Sequence, residues 1–174
     1  MEEHEVKILE VNRKEVEKKL IKLGAKKIFD GNLQTIFFDF NDKSILKNKK
    51  LVRLRSDGKK TVLCSKKPIE KNKTKVMEEN EVEVSDINET KKILESIGLH
   101  PFLTMKKRRI TYSLVDAHFD FDSYLDDFSF IPEFLEIESS NSLDIIRFSK
   151  LLGFKEELIK PWTTKDLIRH YKKW

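Results

Sequence analysis

Charged and apolar positions alternate through most of the β-forming stretches of this chain, beginning almost at its first residue. Glu3-His4-Glu5-Val6-Lys7-Ile8-Leu9 has the period of two that sends successive side chains to opposite faces of a strand. Asn12 then stands where its side chain can cap a helix running to Lys22. Val16, Leu20 and Leu23 supply an apolar stripe, and Gly24 sits where the helix would end. Residues 33–40 are rich in β formers, a polar stretch follows over 41–50, and 51–55 reads as a further strand. Asp57-Gly58 is a hairpin signal, 61–66 is the returning strand closed by Pro68, and 69–75 reads as a charged loop. Residues 76–84 alternate again. Asp86 or Asn88 can cap a helix through Ile97, with Ile93, Leu94 and Ile97 on its buried side and Gly98 after it. Strands follow at 105–114, 117–122 and 134–138, an amphipathic helix at 142–152, and a last helix from Thr163 or Thr164 that contains Leu167, Ile168 and Tyr171. About eight strands and four helices predict an α+β fold.

Strand parity sorts the charges. Glu3, Glu5 and Lys7 share a face opposite Val6 and Ile8, and Arg53 and Arg55 oppose Val52 and Leu54. Glu79, Glu81 and Glu83 oppose Val82 and Val84, while Lys107, Arg109, Thr111 and Ser113 oppose Ile110, Tyr112 and Leu114. Asp120 and Asp122 oppose Phe119 and Phe121, and Glu136 and Glu138 oppose Leu135 and Ile137. An antiparallel sheet with a solvated outer face would explain such alternation. Two features favour another arrangement. Each polar face is nearly pure acid or pure base rather than a mixture of Thr, Ser, Gln and Lys, and the apolar faces are needed as a floor for the helices. If the sheet curls into a barrel with helices outside, the charged face becomes a lumen. About six cations and eight carboxylates enclosed in this way are costly to desolvate unless the lumen holds water and ions. A polyphosphate with a divalent metal satisfies both halves, since Arg and Lys clamp phosphoryl oxygens while carboxylates hold a hard cation.

Composition narrows the class. With 12 Phe, only five Gly and four Pro in 174 residues, the chain is neither disordered nor collagenous, and it is long enough for one domain over residues 1–174 with a real core. No Ser-, Pro- or Gly-rich linker and no fixed-length repeat divides it. No apolar run approaches the roughly 20 residues that span a bilayer. The acidic start Met1-Glu2-Glu3-His4-Glu5 lacks a signal-peptide pattern, so the expectation is a soluble cytoplasmic protein without a membrane partner. The single Cys64 and the scattered His4, His100, His118 and His170 have no zinc-ligand spacing. The net charge of +5 attracts polyanions, but the basic loops at 43–50 and 66–75 carry no interleaved aromatics, so nucleic acid is not the expected partner.

Glu3-His4-Glu5-Val6-Lys7 resembles the ExExK signature of the CYTH, or triphosphate tunnel metalloenzyme, superfamily, which includes class IV adenylate cyclases, thiamine triphosphatases and inorganic triphosphatases. The similarity continues in order through Arg53-Leu54-Arg55, Lys66 ahead of a Pro, Glu79-Asn80-Glu81, Lys107-Arg108-Arg109, Asp122 and Phe134-Leu135-Glu136-Ile137-Glu138. The resemblance implies an eight-stranded antiparallel β tunnel with helices packed on its outside. It also implies that Lys7, Arg53, Arg55, Lys66, Lys107 and Arg109 grip a triphosphate. Glu3, Glu5, Asp122, Glu136 and Glu138 would be the ligands of Mg²⁺ or Mn²⁺, and Glu5, Lys7 and Glu81 the candidate catalytic set. Strand parity favours Lys107 and Arg109 over Lys106 and Arg108, which share a face with Ile110 and Tyr112. One departure concerns the fifth strand. Many members carry an Arg two residues before its acidic pair, and here Met77 stands there if the pair is Glu79 and Glu81; either Lys75 substitutes from nearby, or the pair is Glu81 and Glu83.

Three functions fit these residues. Water attack on the terminal phosphorus gives a triphosphatase for inorganic, nucleoside or thiamine triphosphate, the leading expectation. Attack by a ribose 3′ hydroxyl on the α phosphorus gives an adenylate cyclase making cyclic AMP and pyrophosphate. The third function is noncatalytic polyphosphate or nucleic-acid binding. Phe37 or Phe38 could stack on a base, although Phe at this spacing is more often core. The resemblance fits a monomer or a homodimer.

Overall fold

A computed structural model of the chain describes residues 2–69 and 75–172. Its strands are β1 (Glu2–Leu9), β2 (Lys26–Asp39), β3 (Leu51–Ser56), β4 (Thr61–Pro68), β5 (Lys75–Val84), β6 (His100–Leu114), β7 (Ala117–Tyr124) and β8 (Phe134–Ser139). They close into an antiparallel barrel in the order β1-β5-β4-β3-β2-β6-β7-β8, with β8 returning to β1. Five helices among the described residues complete the α+β fold: α1 (Arg13–Lys22), α2 (Ser44–Lys47), α3 (Ile87–Ser96), α4 (Ser142–Leu151) and α5 (Thr164–Tyr171). The eight-stranded tunnel is therefore present.

Local chemistry fixes the helix ends. Asn12 accepts from the Glu15 amide at the start of α1, and Asp86 accepts from both the Asn88 and Glu89 amides at the start of α3. Thr163 and Asp166 form a reciprocal capping box on α5. Gly24 and Gly98, with φ of +91° and +89°, take the left-handed conformation that ends α1 and α3.

The apolar strand faces point outward to these helices. Val16 and Leu20 of α1 and Ile145 and Phe148 of α4 pack on Val6, Ile8, Phe119, Leu135 and Ile137 of the barrel wall. Leu94 of α3 covers Phe38 and Leu54. Each such fully buried side chain contributes about 1.5–3 kcal/mol of hydrophobic stabilisation. α5 is placed differently. Leu167 is fully buried among Met105, Tyr124 and Phe134, with Leu9 and Phe37 beside them. These barrel residues have the parity of Lys107, Asp122, Glu136, Lys7 and Thr35, so they point inward, and α5 lies across one end of the tunnel.

Three boundaries differ from the sequence pattern. β2 starts at Lys26 rather than residue 33 and β6 at His100 rather than 105, because the two pair with each other from Lys26↔Ser113 to Asp39↔His100. Long-range pairing overrides their weak local preference. The short α2 falls in the stretch expected to be irregular. Buried Asp39 builds it by accepting from the Phe40 and Ile45 amides at Oδ1 and from the Leu46 amide at Oδ2. Residues 70–74 of the expected charged loop lie outside the described residues. No described helix is long and apolar enough to cross a membrane.

Candidate active site

Every strand except β2, whose inward positions include Thr35 and Phe37, contributes charged side chains to the lumen, where opposite charges pair across neighbouring strands. On β1, Lys7 sits 2.5 Å from Glu136 of β8 and 3.1 Å from Glu5. Arg109 of β6 binds Asp122 through two prongs at 2.7 and 2.6 Å, touches Asp120, and reaches Glu136 at 3.2 Å. Lys107 adds a 2.6 Å bond to Asp122. On the opposite wall, Arg53 lies 3.2 Å from Glu79 and 3.7 Å from Glu81, and Arg55 lies 3.5 Å from Glu81. Lys66 bridges β1 and β5 through Glu3 at 2.5 Å and Glu79 at 2.6 Å. The structure thus brings together all six cations expected to grip phosphate and all the carboxylates expected beside them. Lys106 and Arg108 point outward to Asp126 and Asp30.

Of the β5 carboxylates, Glu79 and Glu81 are the two that reach the β3 arginines. Side-chain exposure along this strand rises from 11% at Glu79 to 38% at Glu81 and 60% at Glu83, which pairs with Lys60. The gradient marks the open mouth of the tunnel at the Glu83 end, opposite α5. Met77 is buried at the inward position facing Glu3, and the nearby cation that reaches Glu3 is Lys66.

Burial and pairing act against each other inside the lumen. Burial alone would discharge Lys7, but the carboxylates of Glu136 and Glu5 outweigh it and hold the ammonium above its ordinary range. Arg109 is likewise buried and held charged by Asp122 and Asp120. Burial pushes Glu136 towards its neutral form, yet Lys7 and Arg109 prevail and keep its carboxyl well below the usual range. Glu138 goes the other way, since burial and the neighbouring Glu3, Glu136 and Asp120 push its carboxyl up.

That crowding coincides with a group of hard oxygen donors. Asp120, Glu136 and Glu138 can each bring one carboxylate oxygen within 4.8 Å of the others, an arrangement able to hold a divalent metal ion. Cys64, Glu79 and Glu81 form a second group by the same measure. Asp120 was visible in the strand parity but is absent from the ligand set that the resemblance implies. Asp122, which is in that set, lies between Arg109 and Lys107. Cys64 donates to Glu79 at 2.9 Å; its role as a lumen thiol left no sequence signal beyond its parity with Lys66.

Towards α5 the inward face becomes apolar. Thr35, Phe37, Arg53, Arg55, Met105, Lys107, Tyr124 and Thr164 line a residual cavity of about 50 Å³. It has room for a few water molecules but not for a nucleoside. Tyr124 Oη and Thr164 Oγ1 are 3.3 Å apart across it. Arg53 Nε is buried with no hydrogen-bond partner among the described residues.

A closed eight-stranded tunnel lined by paired cations and carboxylates defines the class, and comparison places the chain within it. The chain belongs to the CYTH domain family, whose model matches residues 1–158. It is 28% identical over 160 residues to a protein of Methanocaldococcus jannaschii provisionally named an adenylate cyclase, covering 92% of this chain and 89% of that one. A solved structure from Pyrococcus horikoshii is 26% identical with a TM-score of 0.77, over 95% of this chain and 98% of that one. A Hippeastrum protein, described as an adenylyl cyclase candidate with a dominant triphosphatase activity, shares the fold at 15% identity and a TM-score of 0.66, over 99% and 97% of the two chains.

Proposed function

We propose that residues 1–174 form one tunnel domain that hydrolyses the terminal phosphoryl group of a triphosphate with the help of Mg²⁺ or Mn²⁺. The observation that carries this reading is the convergence of Lys7, Arg53, Arg55, Lys66, Lys107 and Arg109 on one enclosed lumen, each paired with a carboxylate. Buried ion pairs contribute little net stability, because desolvation offsets their attraction. Such a network is better suited to exchange, in which phosphoryl oxygens take over the cations. Arg53, with its spare Nε donor, already lacks one acceptor.

In this reading Arg53, Arg55 and Lys66 bind the triphosphate from one wall and Lys7, Lys107 and Arg109 from the other. Fixed cations at both walls align the chain of phosphates and stabilise the charge that develops as the terminal bond breaks. Asp120, Glu136 and Glu138 would hold the metal, with Glu3, Glu5 and Asp122 as further carboxylates of the same lumen. Their oxygen-only donor set suits a hard cation. When bound, the ion supplies Lewis-acid neutralisation of phosphoryl oxygens and activation of water. Glu81, partly exposed towards the mouth and beside both β3 arginines, accepts the proton of the attacking water. Lys7 fixes Glu5, so that its carboxylate keeps one orientation while substrate enters.

A second reading, formation of cyclic AMP and pyrophosphate from ATP, is supported by the name of the Methanocaldococcus jannaschii relative. One experiment separates the two. Inorganic triphosphate, ATP and thiamine triphosphate are each incubated with Mg²⁺ or Mn²⁺, and phosphate, pyrophosphate and cyclic AMP are assayed separately. Phosphate release lost on adding EDTA supports hydrolysis, and cyclic AMP with equimolar pyrophosphate supports cyclisation. Salt-dependent binding without turnover would leave a noncatalytic polyphosphate binder.

A further inference from the structure

Thr111 and Asp120 face each other across β6 and β7, and both are buried. Thr111 Oγ1 donates to Asp120 Oδ1 at 2.6 Å, while Oδ2 is held by Arg109 Nη1. The carboxylate is therefore clamped at both oxygens, which blocks its rotation yet leaves a lone pair on each. The clamp is stiff at its origin. A β-branched threonine on a strand has few χ1 choices, so its hydroxyl is aimed by the backbone.

Glu136 is anchored by Lys7 and Arg109, and Asp120 is the member of the Asp120–Glu136–Glu138 group whose setting depends on a neutral donor. We infer that Thr111 is a positioning residue for the metal group: its hydroxyl keeps a carboxylate oxygen of Asp120 turned towards those of Glu136 and Glu138. This rests on the metal-dependent reading proposed above. Hydrogen bonds that orient a ligand from behind are typically worth about 10- to 100-fold in metal affinity.

The test uses Mn²⁺ alone as the probe, without substrate, and reads binding by water-proton relaxation. Thr111→Val removes the donor at nearly constant volume and is expected to weaken Mn²⁺ binding about tenfold or more, while Thr111→Ser stays within about threefold of wild type. If Thr111 acts through Asp120, the Thr111→Val, Asp120→Asn double variant binds no more weakly than Asp120→Asn alone. Thr111→Ala replaces the valine variant in this cycle if circular dichroism shows the latter unfolded. Binding unchanged by loss of the hydroxyl, or an equal loss in the Asp120→Asn background, overturns the inference while wild-type Mn²⁺ binding keeps the metal reading intact. A wild-type protein that gives no Mn²⁺ response overturns both.

Discussion

Arg109 and Asp122 stand directly opposite each other on β6 and β7, and the guanidinium grips the carboxylate with Nε at 2.7 Å from Oδ1 and Nη2 at 2.6 Å from Oδ2. Asp122 is fully buried and also receives Lys107. Removing it leaves buried Arg109 and half-buried Lys107 short of a partner, the costly direction for a buried ion pair. Asp122→Ala is expected to lower the unfolding free energy by about 3–5 kcal/mol, measured by urea denaturation. A loss under about 1 kcal/mol would mean that water already solvates this part of the lumen.

Lys106 and Lys107 are adjacent in sequence and on opposite sides of the wall. Lys107→Met should reduce triphosphate turnover by about 100-fold, the scale expected for one lost phosphoryl contact. Lys106→Met removes only an exposed pair with Asp126 and should leave both activity and stability within about 0.5 kcal/mol of wild type. Equal effects of the two changes on steady-state phosphate release would contradict the inward assignment of Lys107.

This pair also shows how far the amino-acid pattern could be read. Alternation alone selected the inward residues of β1, β3, β6, β7 and β8, since a period of two leaves no freedom in which side chains share a face. Contacts set by strand register or by distant residues are not legible in this way. The pairing of Glu79 and Glu81 with Arg53 depends on the β4–β5 register, and α2 depends on the buried carboxylate of Asp39, neither of which has a local signature. Asp120 and Asp122 have the same parity, so only the positions of Arg109, Lys107 and Thr111 distinguish their surroundings.

Arg55 lies nearer the mouth than Arg53 and pairs with partly exposed Glu81. Arg55→Ala is therefore expected to cost about 100-fold or more in turnover of inorganic triphosphate. Its thermal midpoint should shift by no more than about 4 °C, because little is left unpaired in a dry interior. A variant with normal phosphate release would remove this arginine from the substrate contacts.

All three tyrosines hold their protons more tightly in the folded chain. Burial and Asp122 push Tyr124 up to about 12, burial and Glu10 push Tyr171 up to about 12, and burial with Glu17 raises Tyr112. The folded values lie above the unfolded one, so this contribution to stability is intact below pH 10 and is lost as pH rises through about 12. Absorbance at 295 nm should show little tyrosinate in the folded protein at about pH 10.5, where the urea-unfolded chain is more than half ionised. Coincident titration curves would contradict these environments.

Burial likewise pushes the Cys64 thiol up to about 12, reinforced by its bond to Glu79. The native protein should react with a disulfide reagent at pH 8 at least about 100-fold more slowly than the unfolded chain, as measured by thiolate release. Comparable rates would place the thiol in water.

The seam between β1 and β8 joins residues 2–9 to residues 134–139. During synthesis the ribosome must therefore deliver residues 134–139 before the barrel can close. Until then every lumen carboxylate and ammonium remains hydrated, and the desolvation of the interior is deferred to a late step in which all the opposing charges are already available.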